Sequence, residues 1–197
     1  RACRPNTTLW QNYLHTQWAN FMRSLENRRV ILVDRPKGVP GPEFFALDKR
    51  AAPQPGDGEF LVQNQFLSVE PAMRGWVNDA PNYSPPVPVG DVMRAFAVGK
   101  IIKSNSSEFK EGEIVSGLFG WQRYAVSDGS SVVTRMTNID QPQSYALGIL
   151  GLNGITAYCG LIYRGEPKPN ETVVVSTAAG SVGSCVGQIA KIKGCRT

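Results

Sequence analysis

The chain has a single histidine and four cysteines, Cys3, Cys159, Cys185 and Cys195, none of them in C-x-x-C spacing. His15 sits in a stretch without periodic pattern and reads as an exposed residue without a role. The rest of the chain therefore lacks the means for a histidine-based triad or a histidine-ligated zinc site. Cys159 and Cys185 fall in stretches of helical character, so the cysteines are expected to be reduced thiols of a cytoplasmic protein. No apolar run approaches the roughly 20 residues that span a bilayer, and no membrane partner is expected. The net charge is +5, but residues 1–29 hold five arginines against Glu26, which leaves +1 for residues 30–197. A nucleic-acid partner is not expected either, because the body carries no basic footprint.

Residues 1–21 begin without methionine and mix Trp10, Tyr13 and Trp18 with polar residues at no fixed period. They lack the apolar core and cleavage site of a signal peptide. From Met22 the text turns into a short polar lead and a strand, so residues 1–21 are expected to be a non-native or disordered extension.

What the chain does have is short apolar runs punctuated by glycine and proline. Val30–Val33 predicts a first strand, closed by the turn-dense 35–42 loop. Phe44, Phe45 and Leu47 resume apolar contact, and 59–68 predicts a longer strand. A helical turn is expected to start at Pro71. Residues 77–90, rich in proline, predict a rigid loop. Val92–Ile102 predicts a strand pair around Gly99, and 114–118 and 120–126 predict two more strands. This spacing points to an antiparallel barrel-like domain over residues 28–140. Near Ser144 the period changes: Tyr145–Leu150 and Ile155–Tyr163 read as helical, interrupted by 151–154 and ended by Gly165, Pro167 and Pro169.

The most informative stretch is 171–187. Val173, Val174 and Val175 suit a parallel strand covered on both faces. Gly180 would let the backbone approach a pyrophosphate, and Gly183 would let the next helix pack closely on the strand. Ala178 stands where the usual fingerprint has its first glycine. From about Ser181, Val182, Val186, Ile189 and Ile192 recur at helical spacing, and the free N–H groups of the first turn favour an anion. Lys191 and Lys193 suit the helix C-terminus, and Gly194 suits the residue that ends it. The alternative is a tight strand-to-helix turn that holds no ligand. The acidic or basic residue that would read an adenosine ribose about 20 residues further on is absent, so the chain reads as a fragment.

An all-β domain, a helical bridge and a glycine-turn βα unit, in that order, resemble the medium-chain dehydrogenase/reductase superfamily. The local text resembles its zinc-free, NADP-dependent alkenal/one double-bond reductases, the prostaglandin, leukotriene and curcumin-reductase-like proteins. The resemblance rests on Arg35-Pro-Lys-Gly-Val-Pro40, Asn64-Gln-Phe-Leu-Ser-Val-Glu-Pro-Ala-Met-Arg-Gly75, Pro85-Pro-Val-Pro-Val-Gly-Asp-Val-Met-Arg94, Gly151-Leu-Asn-Gly-Ile-Thr-Ala-Tyr158 and Ala178-Ala-Gly-Ser-Val-Gly183.

It implies a β-rich α/β fold: a GroES-like β-barrel domain over 22–143, then a helical bridge and the first βα unit of a truncated Rossmann domain over 144–197. It also implies that Leu152, Asn153, Gly154 and Thr156 meet the nicotinamide end of NADPH, while Gly180, Ser181, Val182 and Gly183 hold its pyrophosphate. For Asn153 and Thr156 the alternative is capping of the helix break. Phe66 and Tyr83 stand where relatives put aromatic or phenolic groups over the enone. Phe66 has no proton to give, so a phenol role falls to Tyr83, with packing alone as its alternative. Glu70 replaces the usual aspartate.

The neighbourhoods that supply zinc ligands in alcohol dehydrogenases carry Ser68-Val-Glu70 and Val89-Gly-Asp91 here, and no metal is expected. A side-chain set without those ligands disfavours reduction of a saturated aldehyde. Conjugate reduction of an enone needs only hydrogen-bond donors and a later proton. The expectation is therefore NADPH-dependent, zinc-independent reduction of the carbon–carbon double bond of α,β-unsaturated ketones or aldehydes. The complete protein would act on a small-molecule enone or enal, as a homodimer, while the fragment would bind dinucleotide poorly. Two rivals stand beside this reading: a zinc-free quinone reductase and a non-catalytic NADPH-binding module.

Overall fold

The architecture begins with β-branched and aromatic residues that find partners across the sheet. In a computed structural model describing residues 25–80, 82–137 and 140–197, β1 (Glu26–Leu32) pairs antiparallel with β2 (Phe45–Ala51). Five further strands form one antiparallel sheet in the order β6-β3-β4-β5-β7. They are β3 (Phe60–Leu67), β4 (Ala97–Ser104), β5 (Ile114–Gly117), β6 (Tyr124–Ser127) and β7 (Val132–Met136). The expected extension 1–21, Met22, His15 and Cys3 lie outside the described residues.

β1 ties the two sheets together. Val30 N–H donates to Trp121 O at 2.8 Å, Met93 N–H to Val30 O at 2.8 Å, and Leu32 N–H to Asp91 O at 3.0 Å. The strand's polar backbone is thereby satisfied on both sides, and the sheets close towards a barrel. Its start at Glu26 precedes the apolar run because Asn27, only 2 % exposed, exchanges hydrogen bonds with the Tyr124 backbone, Nδ2 donating at 2.9 Å and Oδ1 accepting at 2.9 Å.

Of five apolar clusters among the described residues, the two largest lie in the β region. One packs Phe60, Val62, Ala97, Ile101, Val115 and Phe119 between the strands, with the Phe60 and Phe109 rings 4.6 Å apart. The other gathers Leu32, Met73, Trp76, Val77, Val87 and Met93 under the proline-rich loop. The helical turn started at Pro71 is present as α1 (Ala72–Trp76), which buries Met73 and Trp76.

Three local expectations change. Around Gly99 there is one strand, β4, rather than a pair. A Cβ on Gly99 would lie 2.2 Å from Gln63 O, so glycine permits the close β3–β4 approach beside the register shift between Asn64 and Phe66. The predicted 120–126 strand starts at Tyr124, since 119–122 is a turn held by Gln122 N–H to Gly120 O. β7 was not anticipated, because its half-exposed edge residues include Thr134 and Arg135 and carry no strong apolar signal.

The helical bridge consists of a 3-10 turn (Gln143–Leu147), α2 (Leu152–Tyr158) and a π-helical segment (Cys159–Gly165). The interruption lies at 148–151. Gly154 belongs to the first turn of α2, where a Cβ would stand 1.8 Å from Ile149 O. α3 (Ser181–Ile192) begins where its sequence pattern begins. It ends in a Schellman motif: Cys195 N–H donates to Ala190 O and Gly194 N–H to Lys191 O, each at 3.0 Å, with Gly194 at φ +81.

The Val173–Val175 run is not a strand here. Thr172 makes an isolated parallel bridge to Arg196, and Val174 is 90 % exposed. A strand exists only through neighbours, and this run has one bridge. Cys159, Cys185 and Cys195 are free thiols. Among the described residues no helix is long and apolar enough to cross a membrane.

Candidate functional site

A cavity of about 910 Å³ lies where the sheet, the helical bridge and the glycine turn meet. The end of β3 and the chain just beyond it contribute Phe66, Leu67, Ser68 and Glu70, the bridge contributes Ala146, Leu147, Leu152 and Asn153, and the turn contributes Ser176, Thr177 and Gly180–Gly183. Segments distant in sequence thus converge on one space, as ligand sites at such junctions do.

The glycine turn is built by steric exclusion. Gly180, at φ −75 and ψ 165, precedes α3 and makes no side-chain cap. A Cβ on Gly183 would stand 2.4 Å from Thr177 O, and one on Gly180 3.2 Å from the same oxygen. Gly180 N–H donates to Thr177 O at 2.9 Å, and Ser184 N–H to Gly180 O at 2.8 Å. Thr177 is held at φ 53, a conformation β-branched residues rarely adopt. The first-turn amides of α3 and its dipole form a place that favours a negative charge.

The expected site residues divide. Phe66, half-exposed, lines the cavity with Leu152, Asn153, Gly180, Ser181, Val182 and Gly183. Asn153 Nδ2 donates to Leu147 O at 3.2 Å, tying the start of α2 to the 3-10 turn. Gly154 is buried against Ile149 and presents no group to the cavity. Thr156 is exposed, and its Oγ1 donates to Leu152 O at 2.7 Å within the helix. Tyr83 is 79 % exposed on the proline-rich loop and is not part of the cavity wall. Arg94 anchors that loop through Ser84 Oγ at 2.8 Å and Pro85 O at 2.7 Å, its guanidinium 5.4 Å from the Trp76 ring centroid.

Other lining groups were not among the expected site residues. Glu70 is the one ionisable side chain in the cavity wall. Ser68 Oγ donates to its Oε1 at 2.8 Å, and the Trp121 indole holds Ser68 O at 2.9 Å. Ser116 of β5 also reaches the cavity; its only sequence signal is a hydroxyl in an apolar strand. The carboxyls that do shift lie outside the cavity wall. Hydrogen bonds from Arg29 to Asp48 and from Arg28 to Glu26 hold those carboxyls below their ordinary range, as Ser130 does for Asp128. No cluster of three His, Cys, Asp or Glu side chains suited to a metal occurs among the described residues.

Residues 28–134 match the family of the N-terminal domain of oxidoreductases. The chain belongs to the medium-chain dehydrogenase/reductase family. It is 45 % identical over 170 residues to the NADPH-dependent curcumin reductase of Escherichia coli, covering 86 % of this chain and 49 % of that protein. It is 40 % identical over 162 residues to mouse prostaglandin reductase 1, covering 81 % of this chain and 47 % of that one. The crystal structure of CurA from Vibrio vulnificus in complex with NADPH superposes with a TM-score of 0.76 at 45 % identity, over 86 % of this chain and 50 % of CurA. The chain thus spans about half the length of the curated relatives it matches. The β-rich α/β fold of this reductase family is the one built above.

Proposed function

We propose that the complete protein reduces the carbon–carbon double bond of α,β-unsaturated ketones or aldehydes with NADPH, without zinc. One observation carries this reading: a single cavity joins an anion-favouring glycine turn to a largely apolar wall containing Phe66 and Phe96. The names of the relatives, curcumin reductase, prostaglandin reductase and 2-alkenal reductase, agree with it.

The residues fit a dinucleotide. Gly180 and Gly183 leave the space that side chains would fill, and the open start of α3 suits a pyrophosphate held by the turn from Gly180 to Gly183. Leu152 and Asn153 would meet the nicotinamide end, with Gly154 and Thr156 shaping the helix that carries them. When bound, the reduced nicotinamide supplies a hydride.

The chain's own residues bind and orient the enone against Phe66 and exclude water from its β-carbon. With the hydride added there, the double-bond electron pair shifts toward the carbonyl carbon and the carbonyl π pair moves to its oxygen, and the carbonyl is restored as the α-carbon takes a proton from water or Tyr83. For Tyr83 to serve, the 77–90 loop must move toward the cavity. The protein would act in the cytoplasm as a homodimer, and the 197-residue chain alone would bind dinucleotide weakly, its turn preceded by a Val173–Val175 run that forms no strand.

The test is NADPH oxidation by the full-length protein with a medium-chain 2-alkenone, a quinone and a saturated aldehyde. Rapid turnover of the alkenone with little of the others is expected. Turnover confined to the quinone would assign a quinone reductase, and NADPH binding without turnover would assign a binding module.

A further inference from the structure

All four residues of β5 are buried, and Ser116 is the strand's one polar side chain, 2 % exposed. Across the sheet it stands opposite Val98 of β4 and Thr134 of β7, and Val98 stands opposite Phe66 of β3. Directly opposed residues project from the same face of a sheet, so Phe66, Val98, Ser116 and Thr134 form one row. That row faces the helical bridge: Val98 packs with Ala146 and Leu147, and Thr134 Oγ1 donates to Leu150 O at 3.1 Å.

Ser116 differs from its neighbours in the row. Its hydroxyl has no hydrogen-bond partner among the described residues. Nor is that hydroxyl sealed off, because the side-chain polar atoms that are both sealed and unpartnered belong to Asn64, Trp76 and Gln143. The open side is the cavity, which Ser116 lines together with Phe66, Phe96 and Val133. Alanine or valine would pack in this position without the cost of desolvating a hydroxyl. A buried hydroxyl kept unpaired in an apolar wall has its partner in whatever fills the cavity.

We propose that Ser116 is a substrate-binding residue whose hydroxyl donates a hydrogen bond to the carbonyl oxygen of the enone, an inference that rests on the reductase reading above. In the balanced step the hydride pair enters the β-carbon, the carbon–carbon double-bond pair shifts between the α-carbon and the carbonyl carbon, and the carbonyl π pair becomes the negative charge on the oxygen. Ser116 keeps its proton throughout, and its hydrogen bond strengthens as the charge grows. The α-carbon proton comes from water or Tyr83. The wall thereby selects a ligand with one acceptor set among apolar atoms.

The experiment uses the full-length protein with NADPH and compares wild type with Ser116→Ala, Ser116→Cys and Ser116→Thr. For a medium-chain 2-alkenone, kcat/KM should fall about tenfold or more in Ser116→Ala, fall partly in Ser116→Cys, whose thiol is a weak donor, and recover to within about threefold in Ser116→Thr. Thermal stability should not fall in Ser116→Ala.

Calorimetric binding of the saturated ketone and of a hydrocarbon of equal size supplies a readout independent of turnover. Ser116→Ala should weaken the ketone about tenfold and leave the hydrocarbon unchanged. Equal losses for both ligands, or no change for either, would overturn the role of Ser116. A wild type that binds the ketone through Ser116 but turns over no enone would instead overturn the reductase reading and leave this inference standing. If Ser116→Ala does not fold, the Cys and Thr variants decide it by the same two measurements.

Discussion

Two runs of β-branched residues meet opposite fates in this molecule. In the sheet, Val115 is paired on both sides and fully buried, whereas Val174, of the same residue type and an equally apolar run, is 90 % exposed. Strand propensity is a preference for a pleated, covered surface rather than a backbone property. The β region holds that surface within itself, and the glycine-turn region has one bridge at Thr172. The steric features of the turn nevertheless form without a finished sheet, because they depend on contacts within a few residues.

The contrast is sharpest for core truncation. Phe60→Ala should destabilise the chain by about 3–5 kcal/mol, the usual range for a buried aromatic, as read by urea denaturation. Val174→Ala in the same chain should cost less than about 0.5 kcal/mol, as surface substitutions do. A large loss for Val174→Ala would mean that the run is covered in solution.

Next comes the turn itself. Gly183→Ala places a Cβ against Thr177 O, so α3 must shift, at an overpacking cost of about 1–3 kcal/mol. Calorimetry on the full-length protein should show NADPH affinity falling at least about tenfold, with the near-ultraviolet signature of the β region intact. Unchanged affinity would detach the glycine turn from cofactor binding.

The smallest effect concerns acid. Arg29 lowers the carboxyl of Asp48 in the folded chain, so this pairing stabilises the fold above the ordinary value of 3.8 and the benefit is lost as pH falls through the lower folded value. The pair is half-buried at the edge of the sheet and in reach of solvent, so the slope should be shallow. Asp48→Asn should flatten it in denaturation curves taken below pH 5, while the turn region shows no change.

Much of this was readable in advance, and the exceptions share a cause. α3 is legible because its start, apolar spacing and Gly194 stop are local. The strands of the sheet were legible where buried apolar residues cluster, and β7 carries no such cluster because an edge strand exposes Val133 and Arg135. Phe66, Leu152, Asn153 and Gly180–Gly183 came from motifs, and the cavity contains them all. Ser68 and Glu70 lie in the 64–75 motif without an expected role at the site, and Ser116 carries no motif; the place of all three in the cavity wall is a matter of folding. Tyr83 has the right chemistry on the proline-rich loop, but it stands outside the cavity wall on a loop that Arg94 holds at Ser84 and Pro85.

Sequence alone determined the helical turn at Pro71, the boundaries of α3 and the glycines that flank it, because turns, caps and periodicity act over a few residues. Tertiary structure alone decided that Gly99 lies inside one strand, that the Val173–Val175 run gains no more than an isolated bridge at its start, and that an unpaired hydroxyl on β5 opens into the same space as the glycine turn. Those outcomes rest on which segments become neighbours, and pairing, burial and cavity shape are properties of neighbours rather than of residues.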